Sequence, residues 1–448
     1  MIISGIKQSV VARLSAITGG MTPSEIGSSI KGQTGAGEIV DIPNSLLSTI
    51  PVRVFKDDSG RFYTDFDSRD WEPRVFDATY FVDQASGSNA NSGLTESLPV
   101  ETIKQALILI AAAGGTDFEL IINGGYFDRL DGWASQQIGS KNIVVRCRGD
   151  VTSSGEFSGL SWSDATGGAY SVNRSAVGVV YDKTTLNGDG DWTQLEPVVD
   201  SAVCIATAGT MYTDGTTLWV HRSDGLVPTF DNTMVGTTTI NVRPAENGRT
   251  IIYGMKMYGG ADAISCNMGA NVYSDVILVN CEAGYTNTNA VDFNGARYCI
   301  TQNVLAKGAS NDGFNYQAGA SLLNQIAVEI NCTARTSGLY ATDTNNNASS
   351  IHDDGVILRI NGKYTGSRGP VVNDIDNAVV WNVGCYSDNA LDVTGTLSAN
   401  YSNGLGTTTY IDNCVSGSQS EYDAYSAGTM TVINSPSISK TSGNVEVI

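Results

Sequence analysis

The chain has 448 residues, 41% hydrophobic and 16% charged, which is enough apolar material for a large core and too much for a disordered chain. Its formal net charge of −20 argues against a nucleic-acid partner, which needs a basic footprint. No apolar run reaches the roughly 18 residues of a membrane-spanning helix, so no membrane insertion is expected.

Residues 1–75 read as a separate small module. Ile6, Val10, Val11, Leu14 and Ile17 follow helical spacing, and a Gly/Ser-rich stretch runs from Gly19 to Gly37. Val52–Phe55 and Arg61–Phe66 then flank Asp57-Asp58-Ser59-Gly60, the pattern of a β-hairpin. An attachment module and a simple leader with a β-ribbon are equally compatible with this segment. Met1–Lys7 lacks the basic start, apolar run and cleavage site of a signal peptide, which predicts synthesis in a cytoplasm and release by lysis.

The character changes at Tyr80-Phe-Val-Asp83, a strand followed by a Gly/Asn/Ser turn (Gly87–Gly93) and a short helix carrying Ile103, Ala106, Leu107 and Ile110. Such a helix suits the open end of a solenoid, whose first coil otherwise exposes an apolar face and unpaired strand edges. An inserted hairpin is expected near 192–228, where Met211–His221 alternates around Asp214-Gly215. Its aromatics either line a sugar site or pack over the flank of the main body.

From about residue 250 a repeat emerges. Strand-like runs end in Asn280, Asn303, Asn331, Asn361, Asn382, Asn413 and Asn434, at spacings of roughly 20 to 30 residues. A second apolar run follows each by about ten residues, as in Val291-Asp-Phe293, Phe314-Asn-Tyr316 and Leu391-Asp-Val393. Stacked at about 4.8 Å, the Asn side chains would form a hydrogen-bonded ladder. The fold predicted for 76–435 is therefore an all-β, right-handed parallel β-helix, with 436–448 as a C-terminal tail. The eight cysteines (147, 204, 266, 281, 299, 332, 385, 414) form no CxxC pair, so no zinc site is expected. They read as small buried residues stacked inside the tube, folded in a reducing compartment.

Glycoside hydrolysis needs two carboxyl groups, and outward residues on adjacent coils supply them at suitable spacing. The candidate catalytic residues are Asp292, Asp312, Asp343, His352, Asp353, Asp354 and Asp374. Asp392 occupies a similar position in a later run. His352 beside two carboxylates suits a general base, against the alternative of a plain turn residue. A lyase would add a cation to stabilise an enolate, from Arg359 or Arg368. Asn315, Tyr316 and Tyr340 complete the substrate-binding candidates. Asn345–Asn347 with Asp353-Asp354 is weighed as a calcium site against a polar loop, but the spacing matches no calcium loop and no metal or cofactor is expected.

The opening Tyr80–Asp83 with its turn and helix, the hairpin Tyr212–His221, Asp312-Gly-Phe-Asn-Tyr316 and the segment His352–Asp374 resemble right-handed β-helix proteins that act on polysaccharides. With a distinct leader ahead of the coil, the chain is similar to phage tailspikes. That resemblance implies a virion protein made in the host cytoplasm, docked on tail or baseplate proteins through its N-terminal region. It also implies a homotrimer that recognises and cleaves a bacterial surface polysaccharide. A non-enzymatic receptor-binding or structural virion protein and a bacterial polysaccharide lyase are the rival readings.

Overall fold

The computed structural model describes residues 37–40, 43, 46, 49–133, 136–266, 274–319, 325–340, 346–390 and 397–448. The expected helix at Ile6–Ile17 and the candidates Asp343 and Asp392 lie outside these residues. Two compact units are formed, one by residues 1–42 and 51–66 and one by 43–50 and 67–448.

In the first unit the expected hairpin is present. Val54–Lys56 pairs antiparallel with Phe62–Thr64, and Glu38–Ile39 adds a third strand. The Asp57 carboxylate closes the turn by accepting from the backbone N–H of Ser59 and of Arg61, both at 2.9 Å.

The second unit is a right-handed parallel β-helix of about 11 turns. It starts with Ala78–Asp83, on which Asp117–Phe127, Asn142–Ser154 and Arg249–Tyr258 stack in parallel. The helix Ile103–Ala112 packs on the first two of these strands and buries the four expected residues, Ile103, Ala106, Leu107 and Ile110. Its first turn is capped by the Thr102 hydroxyl, which accepts from Gln105 N–H.

From Arg249 onward each coil contributes three strands to three parallel sheets. One coil reads Asp275–Val279, Glu282–Thr286, Val291–Asn294, and the next reads Tyr298–Gln302, Leu305–Ala309, Phe314–Gln317. Strands of the first sheet are nearly continuous apolar runs because both faces are buried. Val276 and Leu278 face the lumen, while the in-register column Ile277, Ile300, Val328 and Leu358 is buried on the other side. Each such side chain contributes about 1.5–3 kcal/mol on burial.

The corner after the first sheet needs a left-handed residue, and asparagine tolerates it. Asn280, Asn303, Asn331, Asn361, Asn413 and Asn434 all sit there, with φ between 48° and 55°. The ladder is real over four coils. Asn303 donates to Asn280 (2.9 Å), Asn331 to Asn303 (3.3 Å) and Asn361 to Asn331 (3.0 Å). Asn382 does not belong to it; Gly384 takes the corner (φ 61°) and Asn382 is buried in the preceding strand. Replacing Asn331 by alanine is expected to cost about 1–2 kcal/mol through left-handed strain, and Asn331→Gly to cost less. Urea titration followed by circular dichroism measures both.

All eight cysteines are free thiols, and seven are buried. Cys281, Cys332, Cys385 and Cys414 each directly follow the corner residue. The same place after Asn303 is taken by Val304, also buried, so the position calls for a compact apolar side chain. The residues assigned to a tail also add to the solenoid, since Thr441–Val447 pairs in parallel with Tyr422–Ile433.

Between Ser154 and Arg249 the insertion is larger than a hairpin. Val177–Leu186 is flanked by Trp192–Gln194 and Thr233–Thr237 in one antiparallel sheet. The predicted hairpin, Thr210–Thr213 with Thr217–His221, is the centre of a second, five-stranded sheet. Asp214 tightens its turn, accepting from Thr217 N–H at 2.7 Å. Val172, Val180, Leu195, Met211, Leu218 and Val235 give this insertion a core of its own.

Candidate functional site

The sequence candidates separate into three places. On the outer face of the third sheet, Ser265, Asp292, Asn315 and Ser350 stand in register on successive coils. Asp292 accepts from Ser265 Oγ and from Asn315 Nδ2, each at 2.8 Å. Ser350 Oγ lies 2.9 Å from Asp312 Oδ2, and Asp312 Oδ1 accepts from Asn347 N–H at 2.7 Å. Asp292, Asp312 and Asn315 are thus tied into one buried polar column whose carboxylate oxygens are occupied by protein donors.

His352 ends the neighbouring outward row, with Nδ1 4.0 Å from Asp376 Oδ2. Burial pulls its imidazole below the ordinary range despite Asp376, Asp353, Asp374 and Asp292 nearby. Asp353 takes a left-handed turn (φ 58°) and accepts from Ala318 N–H at 2.9 Å, and Asp354 is exposed beside it.

Asp262 lies beside Asp292. Burial first, then the Asp292 charge, push the Asp262 carboxyl up to about 7; Thr288 and the backbone of Asn289 face it and act in the opposite sense. Asp292 is raised too, by burial, against Ser265, Asn315, Asn289 and His352. A group whose folded pKa lies above its unfolded value of 3.8 adds stability that is fully present below 3.8 and lost as pH rises through 7. The contribution of Asp262 to stability is therefore expected to fall between about pH 4 and pH 7, by on the order of a few kcal/mol, while the depressed His352 works in the opposite sense. In Asp262→Asn that slope should flatten, as read from urea unfolding at stepped pH.

Three candidates point inward, which corrects the expectation that they meet substrate. Asp374 is in register with Ile351 and Tyr316 on the luminal side of the third sheet. Arg359 lies inside the first sheet and binds both Asp374 oxygens, at 2.8 and 3.1 Å. Its Nε reaches Ser349 Oγ at 2.9 Å and lies 3.6 Å from Glu329, whose other oxygen accepts from Tyr364 OH at 2.6 Å. Tyr316 is fully buried against Phe293. Even residue spacing in a strand sends side chains to one face, and these three occupy the inward parity.

A groove forms instead on the outer face of the second sheet. Gly259, Tyr285, Gly308, Thr336, Gly366 and Asn389 occupy equivalent places in successive strands, all with φ between 58° and 68°. This repeated left-handed bend leaves two consecutive residues outside; Ala306 and Ala309 are in the core while Lys307 and Gly308 between them are not.

The insertion hairpin Val177–Leu186/Trp192–Gln194 lies over the coils that carry Tyr285, Gly308 and Arg335. Trp192 stacks on Tyr285 (4.3 Å, 17°), Tyr181 OH donates to Gly308 O, and Arg335 forks onto Asp191 at 2.7 and 2.8 Å. Lys307 binds Glu282 at 2.9 Å and lies 3.6 Å from Asp191.

Where the hairpin stops, a cavity of about 610 Å³ opens along three coils. Asp189 of the hairpin turn contributes one carboxylate to its lining, and Lys363, Thr365, Tyr386, Asp388 and Asn389 line the floor. Leu339 also lines it, with the half-buried Tyr340 beside that residue; Arg368 Nη1 donates to Leu339 O at 3.4 Å. Asp388 is oriented by three donors, Tyr386 OH (2.9 Å), Asn389 N–H (2.8 Å) and Gln419 N–H (3.2 Å). Burial and the Asp388 charge hold the Tyr386 phenol above its ordinary range, so it remains a donor.

Neither a family model nor a curated relative matches the sequence. Among solved structures, a complex of XylC with xylose is similar at a TM-score of 0.51 and 12% identity, over 79% of this chain and 69% of that one. Pectate lyase Pel9A gives 0.38 at 13% identity, over 81% and 78%. The tailspike protein gp49 from Pseudomonas phage LKA1 gives 0.26 at 12%, over 74% and 65%. The likeness to the xylose complex is one of fold, and with the coil-by-coil register above it makes this chain a right-handed parallel β-helix protein.

Proposed function

We propose that this chain binds and hydrolyses a bacterial surface polysaccharide, as the β-helix of a homotrimeric phage tailspike docked through residues 1–75. The observation that carries the catalytic part is the groove, open along three coils and holding a carboxylate, Asp388, locked by three donors. An open, polar furrow suits a polymer that enters sideways, whereas a small metabolite is usually enclosed by apolar walls. Asp388 is the base or nucleophile, Asp189 supplies the second carboxyl, and Tyr386, Lys363 and Asn389 bind hydroxyl groups.

Incubating the purified chain with capsular polysaccharides and O-antigens is the test. New reducing ends without ultraviolet absorbance of an unsaturated uronate are expected. Absorbing products would replace hydrolysis by elimination, and binding without any product would leave a receptor-binding protein. Recovery of the chain from purified virions checks the placement.

A further inference from the structure

We infer that the groove accepts an uncharged glycan, so that its substrate is a neutral polysaccharide and not a uronate- or sialate-bearing one. The inference rests on the functional reading above and adds the substrate class to it.

The charges that line the groove are Asp189, Asp388 and Lys363. Two carboxylates against one ammonium leave it net negative. Lys363 and Thr365 lie on the strand that pairs with Tyr386 and Asp388, so the single cation sits one coil away and two residues along from a carboxylate. Arg368 donates to Leu339 O beside the groove but is not among the residues that line it, and the two cations under the hairpin are already paired. Arg335 is forked onto Asp191, and Lys307 is shared between Glu282 and Asp191, so the hairpin wall is already neutralised.

The whole chain carries −20, which repels a polyanion before it reaches the surface. A chain with a carboxylate on each repeat would place several negative charges along three coils with one lysine to meet them. Like charges facing one another in this way cost several kcal/mol. Neutral hydroxyls, by contrast, donate to Asp189 and Asp388 and accept from Lys363, Thr365 and Asn389.

The full chain is applied to an array of bacterial capsular polysaccharides and O-antigens of known repeat, and affinity is read at low and high salt. Neutral repeats are expected to bind at least about tenfold more tightly than acidic ones, with salt changing neutral binding by no more than about twofold. Equal or tighter binding of acidic repeats, weakened by salt, overturns the substrate class while leaving a glycan site in place. No binding anywhere on the array overturns the substrate class and the proposed function together.

Discussion

Arg359→Ala should destabilise the protein by about 3–5 kcal/mol, the range for removing one partner of a buried ion pair. Arg359 is fully buried between Glu329 and Asp374, with both carboxylates almost wholly out of water. Truncation removes the only cation these two acids touch in the lumen among the described residues, and no solvent replaces it. Burial already raises Asp374 above the ordinary carboxylate range, and Arg359 is the main influence opposing this. Without the guanidinium the folded-state pKa of Asp374 rises further, so the deficit relative to the parent should shrink as pH falls and Asp374 is protonated. Coils of a solenoid touch only their neighbours, so hydrogen exchange should show the loss first in the strands from Ile326 to Asn403. The triple variant Glu329→Gln/Arg359→Met/Asp374→Asn, which leaves no buried charge, should recover much of the loss. A deficit that stays constant with pH would mean the triad carries no net charge imbalance.

The solenoid was legible because its rules are local. A left-handed corner tolerates asparagine, a strand buried on both faces reads as an apolar run, and the two recur together at each coil. What failed was parity and register. Asp292 was placed outward correctly, since Val291 and Phe293 on either side are core residues. Asp374 has the opposite parity to Asn373, and Val372 and Asp374 both face in. An aspartate in the lumen contradicts every composition rule unless its partner is known, and Arg359 is two strands earlier in the sequence.

The groove was missed for a second reason. The corner asparagine and the apolar run ten residues later mark the first and third sheets and leave the second unmarked. Counting four residues past each corner gives Gly284, Lys307, Arg335, Thr365 and Asp388, the column that carries the site. The final step of that count needs Gly384, which a search for asparagine passes over in favour of Asn382. Asp189 had no signal at all, because the hairpin reaches the coil only through tertiary pairing.

Asp388→Asn should leave the thermal transition within about 0.5 kcal/mol of the parent and lower kcat by two to four orders of magnitude, roughly the contribution of a positioned acid or base. Asparagine keeps an oxygen for Asn389 N–H and Gln419 N–H, and its amide can donate to Tyr386 in place of the reverse bond, so the groove retains its shape. KM should change little, because hydroxyl partners elsewhere in the groove remain. Tyr386→Phe separates orientation from chemistry. It removes one of the three donors that orient the carboxylate, so kcat should fall by about tenfold, less than in Asp388→Asn, with KM little changed. A purely structural Tyr386 would reduce stability and leave kcat of the folded protein unchanged. If Asp292→Asn abolishes cleavage while Asp388→Asn retains it, the third-sheet column is the active face, and the groove beneath the hairpin only binds.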